Sequence, residues 1–369
     1  MNSDWYIINN IDQIDSPALA VYPERVKENI KILKGFVDDV TRLRPHVKTH
    51  KSSEISKMLM DAGIKKFKCA TIAEAEMLAI ADAPDVLLAY QPVGPKAVRL
   101  AALIKKYPST KFSCLIDNLL AANHISEVAE KSNLTINAFI DVNVGMNRTG
   151  IVPEQSLKLF EDVQSLKGIN IIGLHAYDGQ LRDPDFAVRK KQCDEGYAKV
   201  ETLHQEIKDK FSKDLLIVAG GTPSFSIHAK RKEIDCSPGT YIYWDKNYSQ
   251  TLTEQPFLFA ALVITRVISK PDDETITVDL GHKSIASENP LPNRVTFLNA
   301  PDLQPVGHSE EHLVLKAGKG NNFKVGDVLY GLPYHICPTV ALHDRVQVIE
   351  DHFATSTWTT LARNRVITI

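Results

Sequence analysis

Several signals that would place this 369-residue chain in a special class of protein are missing. It has no run of the roughly 20 apolar residues that a transmembrane helix needs. Its first residues, MNSDW, lack the basic and then apolar pattern of a signal peptide. Its formal net charge of −2 provides no attraction for nucleic acid or for an anionic membrane surface. These absences predict a soluble protein with neither nucleic acid nor membrane as a partner.

Cysteine is scarce, and the number of cysteines is odd, which argues against a disulfide framework. The five residues are widely spaced and most of them stand in apolar runs. Such thiols are typical of a reducing compartment, so we predict free cysteines and a cytoplasmic location. They are Cys69, Cys114, Cys193, Cys236 and Cys337.

Internal repeats, low-complexity tracts and long linkers are also missing, while 44% hydrophobic residues provide for a large core. From residue 18 to residue 245, strand and helix patterns alternate, which implies parallel strands because these need long crossovers. Eight such strands favour an α/β fold of the (β/α)8 TIM-barrel type over an open doubly wound sheet. The predicted strands are 46–48, 66–70, 86–90, 111–117, 136–142, 171–177, 215–220 and 237–243.

After residue 245 the pattern changes to short strands separated by glycine, proline and aspartate. These predicted strands are 257–267, 275–279, 294–298, 311–316, 328–332 and 345–350. We therefore predict a barrel domain at residues 18–245 and a second, β-rich C-terminal domain at residues 246–369, joined by residues 1–17. In barrels of this type the chemistry lies at the C-terminal ends of the strands. Lys48, Tyr177 and the turns at residues 220–222 and 239–241 fall at such ends.

Residues 44–51 (RPHVKTHK) place Lys48 at the predicted end of the first barrel strand, directly before a helix. A lysine is normally protonated and therefore a poor nucleophile at neutral pH. Positive neighbours or desolvation make it reactive toward aldehydes, and this segment contains four cationic or potentially cationic neighbours. We interpret Lys48 as an amine that holds an aldehyde cofactor as a Schiff base. The alternative is an ordinary basic strand end.

Two glycine-containing turns follow predicted strands, at residues 219–224 (AGGTPS) and 237–241 (SPGTY). Glycine lets the backbone approach an anion, so that N–H and hydroxyl groups can bind phosphate. Each turn alone is common in loops, but two turns on neighbouring strands predict a phosphate cup. Neither turn has the lysine and spacing of a Walker loop, and residues 145–150 (GMNRTG) lack the G-x-G-x-x-G spacing of a nucleotide fingerprint.

Residues 332–339 (LPYHICPT) place an imidazole and a thiol two residues apart, at His335 and Cys337. On a β-strand, residues i and i+2 point to the same side, so both side chains would reach one ion such as Zn²⁺. Two protein ligands leave coordination positions open, as a catalytic metal requires. The alternative is a buried cysteine beside a surface histidine.

Together these segments resemble the alanine-racemase-like barrel enzymes that use pyridoxal 5'-phosphate, in particular their D-threonine aldolase and D-serine dehydratase branch. The resemblance covers most of the chain, and RPHVKTHK is its most specific motif. It implies that Lys48 carries the cofactor, that His335 and Cys337 bind a divalent metal (Zn, Mn or Mg), and that the protein is a homodimer. The cofactor contacts that it implies are Arg148, Tyr177, Gly221, Thr222, Gly239, Thr240 and Tyr241.

The resemblance also implies a small β-hydroxy D-amino acid as the substrate. The cofactor would serve as an electron sink, and the metal would act on the β-hydroxyl, a function that a racemase does not need. An aldolase would release glycine and an aldehyde. A D-serine or 3-hydroxyaspartate dehydratase would release an oxo acid and ammonia. We favour the aldolase over the dehydratase, with an amino-acid racemase third.

Two departures from the pattern keep aldolase and dehydratase both open. Cys337 resembles the dehydratases, since aldolases have aspartate there, whereas residues 338–340 (PTV) resemble aldolases. The histidine that aldolases carry after the tyrosine is absent from residues 177–181 (YDGQL), so we predict that His175 or Asp178 supplies the catalytic base. A cofactor carrier without catalysis is a further alternative, but such carriers have one domain and lack a metal pair.

Overall fold

The computed structural model describes residues 4–369, which form two compact units. We name them the barrel unit and the β-rich unit. The predicted domain ranges, 18–245 and 246–369 with 1–17, stay a prediction, and residues 1–3 lie outside the described residues. The barrel unit contains residues 33–48, 53–239 and 364–369, and the β-rich unit contains residues 4–32, 49–52 and 240–363.

The barrel unit is built on a parallel sheet of seven strands. With strands numbered along the chain, and β1 (Ala18–Val21) in the other unit, they are β2 (Lys66–Cys69), β3 (Asp85–Leu88), β4 (Lys111–Ile116), β5 (Ile136–Asp141), β6 (Ile169–Ala176), β7 (Leu216–Ala219) and β8 (Ile234–Cys236). Each strand pairs with the strands that precede and follow it in the sequence. Since the strands are parallel, every connection between them crosses over the sheet. This arrangement confirms the predicted α/β fold.

The helices begin where the sequence offers a cap or a proline. Thr71 and Asn118 each accept a hydrogen bond from a backbone N–H of the first turn that they precede, and Pro95 and Pro153 stand at first helical positions. The helices are α1 (Pro23–Gly35), α2 (Ser53–Asp61), α3 (Ile72–Ile80), α4 (Pro95–Lys106), α5 (Leu119–Lys131), α6 (Pro153–Val163), α7 (Phe186–Phe211), α8 (Phe225–His228), α9 (Lys246–Thr251) and α10 (Ile336–Leu342). Among residues 4–369, no helix is long and apolar enough to cross a membrane.

Residues 43–46 connect the two edge strands of the parallel sheet. Leu43 forms a single parallel bridge with Cys236 of β8, and His46 forms one with Lys68 of β2. The strand predicted at residues 46–48 is therefore reduced to single bridges, since Pro45 has no N–H to donate to a ladder. The strand predicted at residues 237–243 is wrong for a similar reason: β8 ends before Pro238, and Thr240–Ile242 is a 3-10 turn.

The β-rich unit contains a nine-stranded sheet with β1 near its centre. β1 pairs with β9 (Ala261–Ser269) antiparallel and with β15 (Arg345–Glu350) parallel, although Ala18–Val21 is assigned to the barrel domain by the sequence pattern. An apolar cluster that includes Ala20, Leu262 and Ile349 packs against this part of the sheet. The other strands are β10 (Thr275–Val278), β11 (Val295–Phe297), β12 (Gln304–His308), β13 (Leu313–Lys316), β14 (Val328–Pro333) and β16 (Phe353–Thr359).

The sequence pattern misses β12 and β16, which are the two ends of the main strand order of this sheet. Their residues are mostly exposed or half-buried, so they lack the alternation of apolar and polar residues that marks an inner strand. Exposed polar edge strands also protect a sheet from pairing with other chains.

Candidate active site

Lys48 lies in a 3-10 turn, Val47–Thr49, directly after the bridge formed by His46. The backbone N–H of Lys48 donates to Nδ1 of His46 at 3.2 Å, so the preceding histidine fixes the start of the turn. Lys48 is half-buried, and α2 begins at Ser53, as the sequence predicts. Lys48 thus directly follows residues 43–46, which connect the two edge strands of the sheet, and it lies in a turn and not on a strand.

The ring of Tyr177, which follows β6, lies among three cationic side chains of the barrel unit. The distance from its centroid to Lys48 Nζ is 5.9 Å and to Arg148 Cζ is 5.1 Å. These three residues are all predicted from the sequence as site residues. The third cation is Lys68, whose Nζ lies 5.5 Å from the centroid and which the sequence pattern does not single out. We name the space around this ring the Tyr177 chamber.

The first glycine turn follows β7 and lies against Tyr177. Gly220 has a φ of +76°, which favours glycine, and a Cβ on Gly221 would lie 2.7 Å from a carbon of the Tyr177 ring. The N–H of Gly239 donates to the Thr222 hydroxyl at 3.1 Å, so the two predicted phosphate turns contact each other. Glycine at 221 is therefore what allows the tyrosine ring to approach this loop.

Lys68 extends from β2 into a buried polar network within the barrel unit and is only 2% exposed. Its Nζ lies 2.6 Å from the Ser237 hydroxyl and 3.2 Å from Nε2 of His175. Nδ1 of His175 lies in turn 2.7 Å from a carboxylate oxygen of Asp141. A lysine placed between the apolar residues Phe67 and Cys69 of β2 is the sequence signal that would have pointed to it.

His175, one of the two predicted bases, has both ring nitrogens in use. Asp141 accepts from Nδ1–H, so Nε2 is the atom that accepts from Lys68. Burial, followed by the charge of Lys68, lowers the pKa of His175 against the opposing effect of Asp141. The neutral imidazole therefore orients Lys68, and its role as the base stays a prediction.

Asp178, the other predicted base, accepts two hydrogen bonds. The hydroxyl of Ser224 lies 2.6 Å from one carboxylate oxygen, and Nε2 of His228 lies 2.9 Å from the other. Burial would raise the pKa of Asp178, but the bonds from His228 and Ser224 outweigh it and hold the pKa below its usual value. This carboxylate ties the Tyr177 loop to the glycine turn.

Asp178, Cys193 and His228 also form a buried group whose ligand atoms lie within 4.8 Å of one another, close enough to hold one metal ion. However, a guanidinium N–H of Arg231 donates to Nδ1 of His228 at 2.8 Å. The imidazole proton must then be on Nε2, directed toward Asp178. An ion at this group would have to displace that proton.

The remaining predicted residues belong to the β-rich unit. Thr240 and Tyr241 lie in the 3-10 turn Thr240–Ile242, and burial raises the pKa of Tyr241. The Cys337 sulfur lies 3.6 Å from the Thr240 hydroxyl and 3.1 Å from the hydroxyl of Thr49, the residue after Lys48 in the chain. Thr240 and Cys337 are thus neighbours within this unit.

His335 and Cys337 are not on a strand, as their spacing predicts, because β14 ends at Pro333. His335 is the N-cap of α10 and Cys337 lies in its first turn, where Pro338 is also tolerated. The two side chains still meet, since they are hydrogen-bonded to each other. The first turn of α10 therefore brings the two side chains together, as positions i and i+2 of a strand would also have done.

Carboxylates surround the imidazole of His335. Its Nδ1 is bonded to Glu288, and the charge of the buried Asp245 acts on it as well. Burial alone would lower the pKa of His335, but Cys337, Glu288 and Asp245 raise it to about 9. A carboxylate on one nitrogen of a histidine is the arrangement that orients a metal-binding imidazole. The chemistry of this donor set therefore fits a borderline-soft divalent metal.

Two family models match this chain: the alanine racemase N-terminal domain over residues 21–246, and a putative serine dehydratase domain over residues 260–349. The chain is 27% identical to the D-threonine aldolase of an Arthrobacter species, covering 95% of this chain and 93% of that protein. It superposes on the crystal structure of D-threonine aldolase from Filomicrobium marinum with a TM-score of 0.87 at 24% identity and 96% coverage of both chains. It also matches D-threo-3-hydroxyaspartate dehydratase from Delftia sp. HT23, with a TM-score of 0.81 at 21% identity, covering 94% of this chain and 98% of that one.

Proposed function

Because this chain belongs to the family of the alanine racemase N-terminal domain, we propose that it is a lyase of β-hydroxy D-amino acids that uses pyridoxal 5'-phosphate and a divalent metal. The observation that carries the proposal is the Tyr177 chamber, in which Lys48, Arg148 and a glycine turn converge. The activity is that of a D-threonine aldolase, which cleaves the substrate to glycine and an aldehyde.

The donor groups of the barrel unit fit the cofactor. An amine, two further cations and a tyrosine ring suit an anionic aromatic aldehyde, and the two turns offer backbone N–H groups and hydroxyls for its phosphate. Lys48 would hold the aldehyde, and Arg148 and Tyr177 would contact the ring. Gly221, Thr222 and Gly239 would hold the phosphate, with Thr240 and Tyr241 continuing the Gly239 turn along the chain.

When bound, pyridoxal phosphate supplies an electron sink for the bond that breaks, and a divalent metal supplies a Lewis acid that makes a hydroxyl more acidic. The protein orients these groups. The Tyr177 ring lies against Gly221, and the next residue, Asp178, is bonded to Ser224 and His228. These contacts fix the surface that the ring presents to a bound molecule. His335 and Cys337 would hold the metal, and Glu288 fixes the orientation of the imidazole.

A dehydratase that acts on D-serine or 3-hydroxyaspartate is the second candidate, and the thiol of Cys337 favours it. The substrate is in either case a small D-amino acid. We also propose a homodimer, as the family resemblance implies. A cytoplasmic location is supported by the five free cysteines, of which four are buried. Light scattering after size exclusion tests the dimer.

The deciding experiment identifies the products from D-threonine, D-serine and 3-hydroxy-D-aspartate. Glycine with an aldehyde indicates the aldolase, and an oxo acid with ammonia indicates the dehydratase. Lys48→Ala should abolish turnover and the visible absorbance of the cofactor, while Lys65→Ala, at an exposed position, should keep both. A chelator and His335→Ala should each abolish turnover, with His124→Ala as the control. Normal absorbance in Lys48→Ala would contradict the proposal.

A further inference from the structure

A second cavity of the barrel unit lies at the C-terminal ends of β2 and β3, and its volume is about 430 Å³. Its walls come from the residues that follow these two strands, from α4 and from Arg365. They include none of the residues that surround the Tyr177 ring, so the cavity is distinct from the Tyr177 chamber. We name it the Arg99 cavity. A volume of this size is typical of a site for a small molecule.

The lining of the Arg99 cavity combines an apolar surface with positive charge. The apolar part includes Ile72, Leu88 and the ring of Tyr90, which is 42% exposed. The described lining contains no carboxylate, whereas three of its residues are cations: Lys96, Arg99 and Arg365. Charges of one sign around a concave, partly apolar surface reinforce one another. The cavity therefore attracts an anion.

The three cations keep hydrogen-bond donors for a ligand. Lys96 donates one N–H to the hydroxyl of Tyr90 at 3.0 Å and has two more. Arg99 donates from Nε and Nη2 to main-chain oxygens, and its Nη1 has no partner among the described residues. Within residues 4–369, the guanidinium of Arg365 has neither a hydrogen-bond acceptor nor a carboxylate partner. An anion in the cavity would meet donors from all three side chains.

The segment that carries Arg365 is held against α3 and α4. The buried carboxylate of Glu76 accepts from the N–H groups of Thr368 and Ile369 at 3.1 and 3.2 Å. Arg99 donates to the main-chain oxygens of Arg365 at 3.0 Å and of Ile369 at 3.2 Å. These bonds place the two arginines side by side before a ligand binds, which reduces the entropy that binding would cost.

We propose that the Arg99 cavity is a binding site for a small organic anion, which places a carboxylate or phosphate group against the three cations and an apolar or aromatic body against Ile72 and Leu88. Guanidinium groups suit both anions, because their paired N–H donors match two oxygens. The Thr71 hydroxyl, which also lines the cavity, accepts from the N–H of Glu74 and keeps its own proton for a further oxygen. This site is additional to the proposed lyase site and does not depend on it.

The test is isothermal titration calorimetry of the full chain at low ionic strength with phenyl phosphate, benzoate and neutral benzyl alcohol. We expect saturable binding of at least one of the two anions and none of the alcohol, and the comparison of the anions identifies the preferred charged group. Lys96→Met and Arg365→Met should each weaken this binding about tenfold, because each removes a charge-assisted hydrogen bond. Lys105→Met, an exposed position of α4 outside the lining, is the matched control and should change nothing.

The Tyr177 chamber also contains cations, so Arg148→Met distinguishes the two sites. Binding that both cavity variants weaken and Arg148→Met leaves intact supports the proposal. Any other pattern overturns it, including no saturable binding of either anion, equal binding of benzyl alcohol, or a loss of binding in Arg148→Met. Lys96 and Arg365 are exposed, and far-UV circular dichroism establishes that their variants are folded. The titration requires no turnover, so an absence of lyase activity would count against the proposed function alone.

Discussion

Replacing Arg44 by methionine should destabilise the barrel unit more than any surface change. Arg44 is 1% exposed, and it bonds to Asp85 of β3 at 2.5 Å and to Asp235 of β8 at 3.0 Å. These bonds come from the segment that connects the two edges of the sheet. Removal of one partner of a buried ion pair typically costs about 3–5 kcal/mol, since the other charge is left buried.

The structure places the effect of Arg44→Met at the lower end of that range, about 3 kcal/mol in the free energy of unfolding. Asp235 keeps a second partner, because Nζ of Lys66 lies 2.8 Å from its other oxygen. Asp85 is 22% exposed on its side chain and can be rehydrated. Lys158→Met is the control. It breaks a pair with Asp162 on the surface of α6, which should cost less than about 0.5 kcal/mol.

Urea unfolding can be followed separately for the two units. The three tryptophans, Trp5, Trp244 and Trp358, all belong to the β-rich unit, so their fluorescence reports on that unit. Most helices belong to the barrel unit, so circular dichroism at helical wavelengths reports mainly on the barrel. We expect the dichroism midpoint of Arg44→Met to fall clearly. If it falls no further than that of Lys158→Met, the ion pairs do not stabilise barrel closure and the reasoning is refuted.

Two further predictions concern a glycine and a histidine. Gly221→Ala places a methyl group 2.7 Å from the Tyr177 ring, and overpacking of about 1–3 kcal/mol should weaken binding of pyridoxal phosphate about tenfold or more in a spectral titration. Gly35→Ala, with open space around it, should bind normally, and equal affinities would contradict the model of a tight tyrosine contact. Burial lowers the pKa of His50 from 6.5 to about 3, so the folded state resists its protonation and stability should fall as the pH drops from 6.5 toward 3. The loss is at most about 5 kcal/mol, and urea titrations read by tryptophan fluorescence should show it in the wild type but much less in His50→Gln.

The sequence pattern predicts the parts of the fold that depend on local periodicity. Apolar strands alternating with amphipathic helices are enough to identify the parallel sheet and to place Lys48 and Tyr177 at predicted strand ends, whereas Arg148 is predicted only from the family resemblance. It does not predict how residues 43–46 complete the sheet, because their pairing consists of two single bridges. It also misplaces the metal pair on a strand, since the local sequence cannot distinguish the last strand residue from a helix cap.

The catalytic base shows most clearly why residue type alone does not determine a role. A general base works best when its pKa lies near the operating pH and its lone pair is available. His175 already accepts a bond from Lys68, and both oxygens of Asp178 accept bonds from residues that follow β7. The pKa of each group is below its ordinary value, which weakens it as a proton acceptor. These partners are 46, 50 and 107 positions away along the chain, so only the folded structure shows the hydrogen bonds that hold His175 and Asp178, and the role of either residue as the base stays a prediction.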